Sequence, residues 1–271
     1  MNGKDTLKNQ LNSYVMRTLE SGVKPLGVVL EPIYDCSYGD TAGYRAEVYV
    51  NSIIKGTLFP EDYMRSGVSE KILTDISLRA VKKICKIKKT AEKAGVKLKC
   101  VFLRCASSLL NEPDLYNLIK SVLYGENSDG EGIYLEFFPE AFEYETEILI
   151  NAFRDIRAAG LKVAADGYGG KDFPIEKVIS VCPDVVFTDT KIAGLSLNRE
   201  KSPAIAPLIN LIKGLGGSVV AENVKSDEEL REFRARDCFG FIPSEKYSGS
   251  LGAVKKRVDS ENLLEEVGGD E

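Results

Sequence analysis

Five acidic residues stand out by where they fall. Glu47, Glu136, Asp166, Asp189 and Glu222 each lie in an apolar, β-branched run or at its C-terminal end. One acid after a strand ordinarily caps the helix that follows. Glu136 and Glu222 sit inside their runs, where capping explains them poorly. Clustered carboxylates stay ionised only beside positive charge. Five on one rim would therefore call for a divalent cation or for internal Arg or Lys partners. Oxygen ligands suit a hard divalent metal, which needs no imidazole.

The composition narrows the chemistry further. The chain has 271 residues with no His and no Trp. A Ser-His-Asp triad, a Cys-His pair, a His-ligated zinc and a phosphohistidine relay are thereby excluded. A net charge of -5 gives no reason to expect nucleic acid. No apolar run approaches a membrane span, and MNGKDTLKNQ is not a signal peptide, so the expected address is the cytoplasm. Cys36, Cys85, Cys100, Cys105, Cys182 and Cys238 are scattered without a CxxC pair and read as buried, reduced thiols. Neither GxGxxG nor GxxxxGK[ST] occurs.

The elements that must position the acids follow from periodicity. Leu7, Leu11, Val15 and Leu19 predict a helix over 5–21. Strands are predicted at 26–33 and 43–51, and the short link between them favours an antiparallel hairpin. Six more strands follow, at 98–106, 132–138, 161–166, 184–189, 218–223 and 238–243, joined by helices at 69–94, from Pro113, at 146–159, 174–181, 203–215 and 226–236. The KKICKIKK segment of the long helix reads as a solvated basic face. Crossover helices between apolar strands mean a parallel sheet covered on both sides. Eight strands favour a closed (β/α)8 TIM-type barrel, an α/β fold. Such a barrel gathers the C-terminal ends of its strands, and so the five acids, at one mouth. The expected organisation is an N-terminal helix over 1–24, the barrel over 25–249 and a polar tail over 250–271, with a short helix at 261–267.

The order and wording of several segments resemble one family. EPI (31–33), GYRAEVYVN (43–51), LEFFPE (135–140), AADGYGG (164–170), FTD (187–189), AENVK (221–225) and FGF (239–241) recur in the order of the EAL domain. That bacterial phosphodiesterase module linearises cyclic di-GMP. Its pattern is roughly QPI, GxEALxR, a strand-borne Asn, LExTE, DDFGxG, KxD, AEGVE and QGY. The resemblance spans about 25–245 and implies a barrel whose first strand runs antiparallel. It also implies two Mg2+ or Mn2+ ions held by carboxylates and the Asn, with a Lys beside them.

Carried over residue by residue, the resemblance assigns Glu47, Glu136, Asp166 and Glu222 to ligand positions, and Asp189 to the Asp of KxD. The remaining positions depart. Arg104 stands at the Asn, Pro139 at the second Glu of LExTE with Glu140 one place off, and Gly167 at the second Asp of DDFG. Phe187 stands at the Lys, Lys225 at the last Glu of AEGVE, and Phe239 at the Gln of QGY. Asn51 replaces the Arg of EALxR and Glu31 the Gln of QPI, so the nucleotide clamp is altered as well. Lys191 is the one nearby candidate to stand in for the missing Lys.

These departures lead to an expectation of a catalytically inactive, degenerate EAL barrel. Arg104 is expected to pair with Glu136 or Glu47 in a metal's place, and Arg104 and Lys225 to leave the four carboxylates with two cations. At most one Mg2+ or Mn2+ would bind. Cyclic di-GMP, nucleic acid and membrane are not expected as partners; the expected role is regulatory, through an unidentified protein partner in bacterial signal transduction. Two alternatives stay open: residual metal-dependent hydrolysis, and an anionic ligand held by Arg104 and Lys225. The region after DDFGxG, through which relatives often dimerise, is GYGGKDFP (167–174) here and departs from the pattern.

Overall fold

The computed structural model describes residues 13, 15, 17–19, 25–37, 40–52, 56–64, 68–171, 173–250 and 258–259. Eight strands close into a barrel. They are β1 (Leu26–Asp35), β2 (Thr41–Ser52), β4 (Val101–Cys105), β5 (Ile133–Phe137), β6 (Lys162–Tyr168), β7 (Val185–Thr188), β8 (Ser218–Val224) and β9 (Gly240–Pro243). Two short strands, β3 (Gly56–Leu58) and β10 (Val258–Asp259), extend the sheet. From β2 to β9 the barrel neighbours pair in parallel. β1 pairs antiparallel with both β2 and β9 and closes the ring, as the predicted hairpin required.

The helices cover the outside. They are α1 (Pro60–Met64), α2 (Glu70–Lys93), α3 (Leu115–Gly125), α4 (Thr146–Ala158), α5 (Ile175–Val181), α6 (Ile192–Leu195), α7 (Ile205–Gly214), α8 (Asp227–Arg234) and α9 (Glu245–Ser250). Gly95 and Gly160 follow α2 and α4 with positive φ, as helix stops require. Ser226 Oγ accepts the Glu229 N–H at 3.3 Å and caps α8. No described helix is long and apolar enough to cross a membrane.

Strand alternation sorts the interior into two layers. Outward residues such as Ala46, Val48, Val101, Leu103, Cys105, Leu135 and Val163 join the core between barrel and helices. Inward residues Ile33, Phe102, Tyr134, Ala164, Val185, Phe187, Val220 and Ile242 form a separate apolar plug inside the barrel. On β4, β5, β6 and β8 the residue two places beyond the plug is Arg104, Glu136, Asp166 or Glu222. Side chains two apart share a strand face. The same alternation that fills the barrel therefore seats a charged layer directly above the plug.

Some expectations change. Pro113 precedes α3 rather than opening it, since the helix begins at Leu115. The expected helix at 203–215 starts with a 3-10 turn over Ser202–Ala204 before α7. The region from 250 is not simply a polar tail: Val258–Asp259 pairs antiparallel with Val29 and Leu30 of β1. β1 is ten residues long, whereas β9 pairs with it only at Tyr34 and Asp35, which leaves its other end able to accept a strand. Residues 13, 15 and 17–19 are helical, with Val15 and Leu19 buried; the rest of the expected N-terminal helix, and the expected helix at 261–267, lie outside the described residues.

Candidate functional site

The charged layer is held by two arginines rather than one. Arg104 reaches three carboxylates from β4: Nη1 donates to Glu47 Oε1 at 2.8 Å, Nε to Glu136 Oε1 at 3.1 Å and Nη2 to Asp166 Oδ2 at 3.1 Å. Arg45, two residues before Glu47 on β2, takes the other side. Its Nε donates to Glu136 Oε2 at 3.1 Å and its Nη1 to Glu222 Oε1 at 2.5 Å. Its Nη2 lies 3.0 Å from Glu136 Oε1 and 3.6 Å from Asp166 Oδ1 as an ion contact without hydrogen-bond alignment. Below, the Phe187 ring lies 4.1 Å from the Arg45 guanidinium carbon, in a cation–π contact. Phe138 stands 5.0 Å from that of Arg104.

Arg45 is 2 % exposed and Glu136 is 1 % exposed, so this pair is cut off from water. Burial pushes Glu136 up to about 7, even though Arg45 and Arg104 both pull it down. Burial likewise raises Glu222 against the pull of Arg45. Burial alone would lower Arg45; Glu136, Glu222 and Asp166 outweigh it and hold the guanidinium well above its ordinary value. Both arginines are therefore permanent cations, and the carboxylates supply whatever titration the layer has.

That has a consequence for stability. A carboxyl whose folded pKa is raised is protonated more readily in the folded state. The contribution of Glu136 is full below about 4.5 and is lost as pH rises through about 7. The penalty at pH 8 should be on the order of 3 kcal/mol. Urea midpoints measured from pH 5 to pH 8 should fall with this profile, and Glu136→Gln should flatten that segment of the curve.

The structure brings most of the sequence-selected residues to one mouth. Glu31, Arg45, Glu47, Arg104, Phe138, Pro139, Asp166, Gly167, Asp189, Thr190 and Glu222 line a cavity of about 410 Å³ at the C-terminal ends of the parallel strands. Gly167 has φ +77°, and a Cβ there would lie 2.8 Å from Pro139 Cγ. An Asp restored at 167 would meet both a backbone penalty and Pro139, so these two altered positions are sterically coupled. Asp189 partly performs the bland turn role: its Oδ1 accepts the Lys191 N–H at 2.9 Å. Thr188 Oγ1 accepts the Glu222 N–H at 3.0 Å and fixes the strand that carries this carboxylate.

Other selected residues stand apart. Lys225 is exposed and does not line the mouth; its backbone N–H donates to Glu229 at 2.6 Å. The second cation among the four carboxylates is Arg45, not Lys225. Phe239 packs on Phe102 in the plug, with ring centroids 6.4 Å apart. Asn51 and Lys191 are exposed and away from the lining, and Glu140 borders a neighbouring groove.

Arg45 was missed by the sequence reading, although two signals pointed to it. It shares a strand face with Glu47. The family pattern also carries its own glycine: counted from Gly43, GxEALxR sets its Glu at Arg45 and its Arg at Tyr49. Gly43 is demanded by packing, because a Cβ would lie 2.9 Å from the Cys100 carbonyl oxygen. The hairpin register pairs Arg45 with Glu31, the residue of the EPI segment. Counted from Glu47 the Arg falls at Asn51; neither count yields an arginine at the clamp position.

The fold and mouth define a β/α barrel whose first strand is inverted and whose C-terminal face carries acids. The EAL domain family model matches residues 17–241, and the chain belongs to the EAL domain family. An uncharacterized signaling protein of Caulobacter vibrioides is 23% identical over 244 residues, covering 86% of this chain and 29% of its own length. This chain thus spans under a third of that relative. Among solved structures, the PaMucR phosphodiesterase in complex with c-di-GMP superposes with a TM-score of 0.76 at 13% identity, covering 94% of this chain and 99% of that one. An EAL domain protein from Listeria monocytogenes gives 0.71 at 17% identity, covering 95% and 96%. The EAL enzyme Bd1971, with cAMP and cyclic di-GMP bound, gives 0.75 at 17% identity, covering 96% and 69%. At these identities the likeness speaks for the fold.

Proposed function

We propose that this EAL barrel is catalytically silent and works as a bacterial signalling or regulatory module through protein contacts. The observation that carries this reading is the pair of guanidiniums, Arg45 and Arg104, among the four carboxylates. A two-metal phosphodiesterase needs carboxylate oxygens open to both ions. Here Glu47, Glu136, Asp166 and Glu222 each accept from a guanidinium. A divalent cation would have to displace a permanent charge from a largely buried layer. The donor set does not fit resident Mg2+ or Mn2+, and among the described residues no group of three His, Cys, Asp or Glu is arranged to hold a metal.

The chemistry of attack is missing as well. At the family's Lys position, Phe187 supplies neither charge nor proton and instead backs Arg45. Losing one such electrostatic contribution costs roughly hundred- to thousand-fold in rate. Cyclic di-GMP binding is disfavoured because Glu31, not an amide, lines the mouth. The test is incubation at high protein concentration with cyclic di-GMP and Mg2+ or Mn2+. Chromatography should find no linear product, and calorimetry no submicromolar binding. Linear product that disappears in Glu136→Gln would overturn the proposal.

A further inference from the structure

The mouth has an apolar neighbour. A groove of about 240 Å³ is lined by Pro60, Met64, Leu73, Ala106, Phe138 and Ala141, together with Ser107 and Glu140. Phe138 belongs to both the groove and the mouth, so the two cavities share a wall. The groove lies where α1 and α2 meet the segments following β4 and β5.

Among the described residues, the mouth is lined by more acids than cations. Glu31, Glu47, Asp166, Asp189 and Glu222 line it against Arg45 and Arg104. Both arginines already donate to carboxylates, so they offer an incoming anion little. Among the described residues, neither Glu31 nor Asp189 takes part in an ion pair. These two rim acids are the groups that favour an incoming cation.

Resting on the reading of a silent barrel, we infer that the mouth and the groove together dock a partner polypeptide that presents a basic side chain beside an apolar one. The Arg or Lys head enters the mouth toward Glu31 and Asp189. The apolar neighbour lies on Met64, Leu73 and Ala141 in the groove. Charge complementarity fixes the orientation, and burial of the apolar side chain supplies affinity.

The experiment uses the full chain and short fluorescent peptides read by anisotropy. One peptide carries Arg next to Leu; one replaces Arg by Glu; one replaces Leu by Ser; argininamide alone is the small-molecule control. The Arg-Leu peptide should bind at least about tenfold more tightly than each of the others. Its affinity should weaken as salt rises from about 50 to about 300 mM. Asp189→Asn and Glu31→Gln should each weaken it about fivefold, and Met64→Glu should do the same with folding checked by circular dichroism. Equal binding of the Glu peptide, equal binding of argininamide, or insensitivity to all three variants overturns the inference. Cyclic di-GMP turnover measured on the same preparation separates the two ideas. Turnover sinks the silent-barrel reading; absence of both turnover and peptide selectivity sinks only the docking inference.

Discussion

Arg45→Ala should destabilise the folded protein by about 3–5 kcal/mol, the usual cost of removing one partner from a buried ion pair. Arg45 is 2 % exposed and serves Glu136, Glu222 and Asp166 at once. Alanine would leave Glu136, buried in the same layer, with Arg104 alone, and would strip the Phe187 face of its cation. Part of the loss should be recovered by making the orphan neutral, so Arg45→Ala with Glu136→Gln should be less damaging than Arg45→Ala alone. Urea denaturation of the two single variants and the double variant gives the coupling directly. The reverse sign, a double variant worse than the sum of its singles, would mean that Glu136 is held by groups other than Arg45. A cost of Arg45→Ala under about 1 kcal/mol would place the network with surface pairs, where ion pairs contribute little.

The second large effect concerns metal. Arg45→Glu combined with Arg104→Asn turns four carboxylates and two guanidiniums into five carboxylates and an amide, all in the same layer. The metal-free double variant should melt well below the parent, because adjacent buried carboxylates repel. Added Mn2+ should restore it. At a metal concentration about 100 times the dissociation constant, the gain is about 2.7 kcal/mol. The parent protein should show no such shift, since its oxygens already accept from guanidiniums. Thermal melts with and without Mn2+, on parent and variant, decide this. A Mn2+-dependent rise in the parent of the same size would show that the arginines do not keep the cation out. Phosphodiesterase activity is not expected in the variant, because Phe187, beside the layer, still supplies neither charge nor proton.

Much of the barrel was legible along the chain, for a local reason. Strand runs such as IYLEF and VVFT are buried at every position, and apolar but for Glu136 and Thr188, because each residue faces the barrel interior or the helix layer. Glycines and an N-cap serine punctuate the helices. The carboxylates could be picked out because an acid inside such a run has no bland role. What was not legible was the partner of each acid. Lys225 looked equivalent to an arginine in the cluster, yet the chain turns after β8 and leaves it exposed. Arg45 looked like one residue of an alternating hairpin strand, and only barrel closure brings it against β5 and β8. The pairing of Val258–Asp259 with β1 was hidden for the same reason: two residues carry too little pattern to announce a strand.

The sequence by itself determined the alternation of β and α elements, the antiparallel first strand and the set of acids at the strand ends. It also determined that histidine chemistry is absent. These are properties of residue type and short spacing. Only the tertiary structure decided which cations neutralise the acids, that Arg45 and Arg104 divide them, that Phe187 backs one guanidinium, and that an apolar groove opens beside the mouth. Those are properties of side chains 32 to 177 residues apart in the chain. Closure of the ring sets such distances, and a one-dimensional pattern fixes which face a side chain takes without fixing which neighbour it finds there.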